Sequence, residues 1–122
     1  MSNKVLICDD DIYVVEVLKM LVEKEGYEAL IAYDGVKALD MACKEVPEAM
    51  ILDLKMPGKS GYEICTALKG NQRTKEIFIM ILTGRSLYCQ GTGAMETSPD
   101  CLLTKPVAPK KLRRKLHEIF NQ

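Results

Sequence analysis

The sequence predicts an α/β fold in which a five-stranded parallel sheet is covered by helices on both faces. Short apolar segments of strand length alternate with longer segments whose apolar residues recur at helical spacing. Strands that are separated by helices pair in parallel through right-handed crossovers, which place helices on either side of the sheet. No internal repeat or low-complexity linker interrupts the alternation.

The first half of the chain contains three predicted strands, at residues 4–8, 28–32 and 49–52. The helix between the first two begins at Ile12 and ends at Gly26, since glycine is favoured just after a last helical turn. A second helix follows the turn at Asp34, and Pro47 ends it. The residues expected to face the core are Val15, Leu18, Leu21 and Val22 in the first helix, and Val36, Leu39, Ala42 and Cys43 in the second.

The second half begins with a loop over residues 54–61 and a short helix over residues 62–69. Residues 77–82 form the most apolar segment and are predicted as a central strand. A fifth strand is predicted at residues 101–104, followed by a last helix. The alternation requires another helix within residues 86–99, where the helix propensity is poor, so we expect that helix to be short, irregular or mobile. Core positions of the short and last helices are Ile64, Cys65, Leu68, Leu112, Leu116, Ile119 and Phe120.

Length and composition indicate one globular domain over residues 1–122. Lys and Arg number 17 and Asp and Glu number 17, and this balance argues against a protein held to nucleic acid or to a membrane surface by bulk positive charge. The amino terminus is too short in apolar residues for a signal peptide, and no segment is long enough to span a membrane. Five cysteines without a CxxC spacing are typical of a reducing compartment, so we expect a cytoplasmic protein.

Polar residues follow four of the five predicted strands. Asp9 and Asp10 follow the first strand, Asp53 the third, Thr83 the fourth and Lys105 the fifth. The carboxyl ends of parallel strands meet at one edge of a sheet, where ligands commonly bind. We therefore expect three carboxylates, a hydroxyl and an amine to converge there.

This set of residues is suited to phosphoryl chemistry. Clustered carboxylates repel one another, and a hard divalent cation such as Mg²⁺ relieves that repulsion through oxygen ligands. A carboxylate beside the ion can act as a nucleophile, while Lys105 and Thr83 bind the phosphoryl oxygens. The alternative, that acids after strands only cap helices, is favoured for Asp11 but not for the whole set.

At these residues the chain resembles the response-regulator receiver domains of two-component signalling, in particular stand-alone, chemotaxis-type regulators. The resemblance covers residues 4–120 and implies a flavodoxin-like fold with strand order 2-1-3-4-5. It implies a phosphorylation-dependent switch that takes a phosphoryl group from a sensor histidine kinase or a histidine phosphotransfer protein and alters binding to a downstream protein. The motifs that carry it are Asp9-Asp10, the stretch from Leu52 to Glu63, Leu82-Thr83-Gly84 and Thr104-Lys105-Pro106.

The resemblance also implies a role for each site residue. Asp53 is the implied phosphoacceptor, Thr83 the switch hydroxyl and Lys105 its partner. Mg²⁺ would be held by side chains and one main-chain oxygen, namely Asp9, Asp10, Asp53 and the backbone carbonyl of Lys55. Pro106 would follow a cis peptide bond. Leu102 and Gly84 depart from the family, which commonly has an aromatic residue and an alanine at these two positions.

Two other function classes stay open. One is a Mg²⁺-dependent phosphatase with an aspartyl nucleophile, although phosphatases of the haloacid-dehalogenase type need a second acid where Lys55 stands. The other is a binding module that is never phosphorylated. A receiver assists only its own phosphorylation and dephosphorylation, so we do not class it as an enzyme. The chain ends just past the last helix, so we expect its output to come from its own surface.

Three further features are given their simpler interpretations. Lys55 and Arg85 are interpreted as solvated charges rather than as groups that shield the phosphoryl group from water. The basic residues 110–115 and His117 are interpreted as a solvated helix face, with a docking patch for an acidic partner as the alternative. The glycines at residues 91 and 93 are a poor match to a dinucleotide-binding fingerprint.

Overall fold

The computed structural model describes residues 3–84 and 99–121. The expectations for Arg85, for the glycines at residues 91 and 93 and, apart from Pro99, for the irregular helix within residues 86–99 lie outside the described residues.

Five parallel strands form one sheet in the order β2-β1-β3-β4-β5, which confirms the predicted fold class and topology. The strands are β1 (Lys4–Cys8), β2 (Glu28–Ala32), β3 (Ala49–Asp53), β4 (Phe78–Thr83) and β5 (Cys101–Thr104). The helices among the described residues are α1 (Ile12–Lys24), α2 (Gly35–Glu45), α3 (Gly61–Lys69) and α4 (Pro109–Phe120).

Local side-chain chemistry sets where the helices begin. The Asp11 carboxylate accepts hydrogen bonds from the amides of Tyr13 and Val14, and so caps α1. Ser60 and Glu63 form a capping box, which starts α3 at Gly61, one residue earlier than predicted. These contacts fix how the chain turns from each strand end into the next helix.

Each face of the sheet carries its own apolar core, as expected for a parallel sheet that is covered on both sides. Alternate strand residues point to opposite faces, so Val5 and Ile7 pack with α1 and α4, whereas Leu6 and Cys8 pack with α2 and α3. Val36 was predicted to face the core, but its side chain is 59% exposed and lies beside the loop at Gly58. Ala38 takes the inward position instead.

The described cysteines are all free thiols. Cys8 and Cys65 are buried, and Cys43 and Cys101 are half-buried. Burial raises the pKa of the Cys65 and Cys101 thiols, which favours their protonated form. Within the described ranges, no helix has the length and apolar character needed to cross a membrane.

Candidate functional site

The strand register brings the predicted polar residues to one edge of the sheet. Asp53 is the last residue of β3 and pairs with Leu82 of β4. Thr83 ends β4 opposite Thr104, and the Thr83 carbonyl accepts the Lys105 amide at 2.9 Å. Asp9 directly follows β1, whose Cys8 pairs with Leu52 of β3.

Three carboxylates crowd together at this edge. One carboxylate oxygen from each of Asp9, Asp10 and Asp53 lies within 4.8 Å of the others. The Asp9 side chain is fully buried and Asp53 is 7% exposed, whereas Asp10 is exposed. Negative charges this close and this poorly hydrated repel strongly unless a cation lies among them.

The two oxygens of Asp9 differ in a way that fits a metal site. Oδ1 accepts the Asp11 amide at 2.9 Å. Oδ2 is buried and has no hydrogen-bond partner among the described residues. This oxygen has only an ion pair with Lys105 Nζ, at 3.1 Å, and Lys105 shares that charge with Asp53, so coordination to a hard cation is one way to satisfy the oxygen fully. The residues present therefore fit a Mg²⁺ site.

Lys105 is the one cation that the described residues place among these acids. Its Nζ lies 3.0 Å from Asp53 Oδ1 and 3.1 Å from Asp9 Oδ2, and the second contact is an ion pair without hydrogen-bond alignment. Burial lowers the pKa of Lys105, but its contacts with the two carboxylates outweigh burial and raise the pKa above its usual range. The ammonium group therefore stays charged.

The pKa of Asp53 is raised. Burial is the main cause, and the charges of Asp9 and Asp10 add to it, while the hydrogen bond from Lys105 acts in the opposite direction. A single lysine therefore does not offset the cost of ionising this carboxyl group beside two others.

The backbone around Asp53 leaves little room for other side chains. The Leu54 amide donates to the Leu82 carbonyl at 3.0 Å, and the Gly61 amide donates to the Leu54 carbonyl at 2.8 Å. A Cβ atom at Gly61 would lie 2.8 Å from the Asp53 carbonyl oxygen, so only glycine allows α3 to start this close to β3.

The other residues predicted for the site lie around it. Thr83 is buried at 3% exposure. The Lys55 side chain is exposed, in the loop that follows Asp53. Leu102 is half-buried on β5 and packs against the core that β4 shares with α2 and α3. The Lys105–Pro106 peptide bond is cis.

The sequence reasoning missed a set of exposed apolar residues beside the acids. Ile12 and Tyr13, in the first turn of α1, are 60% and 84% exposed. Tyr33 follows the end of β2 and is 45% exposed, and Val36 in the first turn of α2 is also exposed. The sequence could have indicated this exposure, because Ile12 and Tyr13 lie outside the set of α1 residues predicted to face the core. We call these four residues the apolar rim.

Known proteins share both the sequence and the fold. The family model for the response regulator receiver domain matches residues 5–117. The response regulator MprA of Mycobacterium tuberculosis is 33% identical over 122 residues, which are all of this chain and 52% of MprA. The chain thus spans about half the length of the curated relatives it matches.

Solved structures of response regulators and receiver domains show the same likeness. The chemotaxis response regulator CheY4 of Vibrio cholerae superimposes with a TM-score of 0.85 at 29% identity, covering 98% of this chain and all of CheY4. The receiver domain of the sensor histidine kinase PA1611 from Pseudomonas aeruginosa, solved with a magnesium ion in its active-site cleft, gives a TM-score of 0.89 over the whole of both chains. At 20% identity that second likeness concerns the fold alone. The chain belongs to the response regulator receiver domains, which are regulatory signalling domains of two-component systems.

Proposed function

We propose that this receiver domain is a phosphorylation-dependent switch in which Asp53 accepts a phosphoryl group from a histidine kinase or a histidine phosphotransfer protein. One observation carries the proposal. Asp53 ends a buried strand inside a cluster of three carboxylates, with Lys105 Nζ 3.0 Å from its Oδ1. This arrangement supplies a nucleophile and a cation beside it.

The transfer step uses the Asp53 carboxylate as the nucleophile. A carboxylate oxygen attacks the phosphorus of the phosphohistidine, and a P–O bond forms as the P–N bond breaks. The electron pair of the broken bond returns to the imidazole nitrogen of the donor. Lys105, which is held charged between Asp53 and Asp9, attracts the phosphoryl oxygens as negative charge builds on them.

The residues suited to hold Mg²⁺ are Asp9, Asp10, Asp53 and the backbone carbonyl of Lys55. When bound, the ion would neutralise the carboxylates and the charge on the transferred phosphoryl group. The buried Asp9 Oδ2, which has no hydrogen bond among the described residues, supports this assignment.

The switch itself is a shift between two arrangements of the domain. After transfer, the phosphoryl oxygens would bind the Thr83 hydroxyl and the Lys105 ammonium better in one arrangement than in the other. Thr83 ends β4, and Lys105 directly follows the neighbouring edge strand β5, on which Leu102 lies. A change at Thr83 therefore has a direct route to β5 and to the surface that a downstream protein would contact.

The apolar rim supports a protein as the phosphoryl donor. Ile12 and Tyr13 directly follow the acids after β1, and Val36 lies against the loop that follows Asp53. Exposed apolar side chains grouped around a polar site are typical of protein contact surfaces. A donor that covers this rim would also exclude water from the phosphoryl group.

Intact-mass measurement after incubation with acetyl phosphate and Mg²⁺ tests the proposal. We expect a single phosphate adduct on the wild-type protein and none on Asp53→Asn. Asp40→Asn, which removes an exposed acid on α2, is the matched control and should keep the adduct. An adduct that survives in Asp53→Asn, or no adduct on the wild type, would contradict the proposal. Rapid turnover of unrelated phosphate esters would instead identify a phosphatase.

A further inference from the structure

We propose that the groove between α1 and α4 is a docking site for an acidic segment of a partner protein that carries an apolar anchor residue. The groove has a volume of about 210 Å³ and lies between the last turn of α1 and the first two turns of α4. This inference concerns a second surface and does not depend on the phosphorylation of Asp53.

The base of the groove is apolar. The half-buried Leu21 and the exposed Pro109 supply its accessible apolar surface, and Leu112 and Leu116 are fully buried beneath it in the core of this face. A concave site of this kind accommodates an aliphatic or aromatic side chain. Binding would transfer that side chain from water to an apolar contact, which is favourable.

The rim of the groove is positively charged. Lys24, Lys110 and Arg113 line it and are exposed. In residues 3–84 and 99–121, none of the three forms an ion pair with an acid, in contrast to Lys115, which contacts Glu118 at 3.3 Å. Their charge is therefore available to a partner that brings carboxylates.

The single acid that lines the groove is already engaged. The Glu25 side chain is 17% exposed, and its Oε1 lies 3.0 Å from His117 Nε2 on α4. Glu25 therefore points toward α4, and its single negative charge leaves the three cations of the groove in excess. The charge of the groove is complementary to an acidic ligand.

A peptide fits this surface better than nucleic acid or a membrane does. The chain has 17 basic and 17 acidic residues, so it lacks the bulk positive charge that nucleic-acid binding commonly uses. The cations surround one apolar pocket, and this arrangement selects for an anchor side chain flanked by carboxylates. Helix α1 has 13 residues and is about 20 Å long. The α1 residues that line the groove lie at the end of this helix that is far from Asp9.

A fluorescein-labelled peptide with one leucine between two pairs of glutamates is a suitable probe, with binding followed by anisotropy. We expect saturable binding that Arg113→Glu weakens roughly fivefold or more. Arg114→Glu makes the same charge change on the same helix outside the groove, and should alter the affinity by less than about twofold. Alanine in place of the peptide's leucine should weaken binding, and Asp53→Asn in the protein should not. Equal thermal melting of the two arginine variants would show that both are folded.

Several results would overturn the proposal. These are an absence of saturable binding, equal losses in Arg113→Glu and Arg114→Glu, or full affinity for the peptide without its leucine. Anionic phospholipid vesicles or RNA that bind as tightly as the peptide, with the same dependence on Arg113, would assign the groove to a different class of ligand.

Discussion

Two lysines lie at opposite ends of the β4–β5 strand pair, and each contacts an aspartate in a partly buried setting. Lys69 Nζ lies 2.7 Å from Asp100 Oδ2 and donates to the carbonyls of Ile77 and Lys75 at 2.9 and 3.2 Å. The same Asp100 oxygen accepts the Ile79 amide at 2.8 Å. At this end one ammonium meets one carboxylate, and the polar groups of the pair satisfy one another.

The other end differs in its balance of charge. Lys105 contacts both Asp53 and Asp9, and Asp10 adds a third carboxylate to the cluster. Asp9 Oδ2 has no hydrogen bond among the described residues, and the pKa of Asp53 is raised. At one end a complete pair joins α3 to the start of β5, whereas at the other end the acids outnumber the lysine, as the proposed cation site and phosphoacceptor require.

Breaking the complete pair should have the largest effect on stability. Lys69→Met leaves the Asp100 carboxylate and the Ile77 carbonyl without their donor, so we expect a loss of about 3 kcal/mol in the free energy of unfolding. Urea denaturation measures it. Lys44→Met removes an exposed ion pair with Asp40 and should cost less than about 0.5 kcal/mol. Equal losses in the two variants would show that Lys69–Asp100 is an ordinary surface pair.

Removing the lysine from the incomplete cluster should cost less, and the cost should depend on Mg²⁺. Lys105→Met leaves three carboxylates without a cation, and we expect a loss of about 2 kcal/mol in buffer with a chelator. Added Mg²⁺ should recover part of that loss, because the ion supplies the missing positive charge. In Lys69→Met the loss relative to wild type should stay the same with and without Mg²⁺. A loss in Lys105→Met that Mg²⁺ leaves unchanged would contradict this interpretation.

Removing an acid from the same cluster should stabilise the protein. Because the pKa of Asp53 is higher in the folded than in the unfolded state, ionisation of this group destabilises the fold, and the penalty grows as pH rises above the ordinary aspartate pKa of about 3.9. Asp53→Asn in buffer with a chelator should therefore raise the free energy of unfolding at pH 7 by about 1 kcal/mol. The gain should shrink as the pH falls through 4 and vanish below about 3, where the carboxyl group is protonated in both states.

Asp100→Asn is the matched control for that variant. It replaces an aspartate that has a complete set of partners, so it should lower stability at pH 7. If both asparagine variants changed stability in the same direction, the contrast between the two ends of the strand pair would be lost.

The fold was predictable because it depends on local patterns. The boundaries of β1, β2 and β5 match the prediction at both ends. β4 starts one residue late, at Phe78, because the Ile77 amide still donates to the Thr74 carbonyl in the preceding turn. The positions of Asp9, Asp10, Asp53, Thr83 and Lys105 were predictable for the same reason, since the ends of these strands are marked by a change from apolar to polar residues.

Contacts between distant residues were not predictable. Lys69 and Asp100 are 31 residues apart and belong to no motif, so nothing in the sequence pairs them. The missing hydrogen bond of Asp9 Oδ2 depends on the direction of one carboxylate, which the residue type does not determine. Val36 is exposed because the buried positions of α2 are Gly35, Ala38 and Ala42, small residues that a pattern of larger apolar side chains does not reveal.

Stability as a function of Mg²⁺ concentration tests the central claim most directly. The wild-type free energy of unfolding should rise with Mg²⁺, by about 2.7 kcal/mol at a concentration of 100 times the Kd. Lys69→Met should show the same increment from a lower starting value, and Asp10→Asn, which removes an exposed ligand from the cluster, should lose most of it. If the wild type gained nothing from Mg²⁺, or if Asp10→Asn gained as much as the wild type, the account of an acid cluster built for a cation would be wrong.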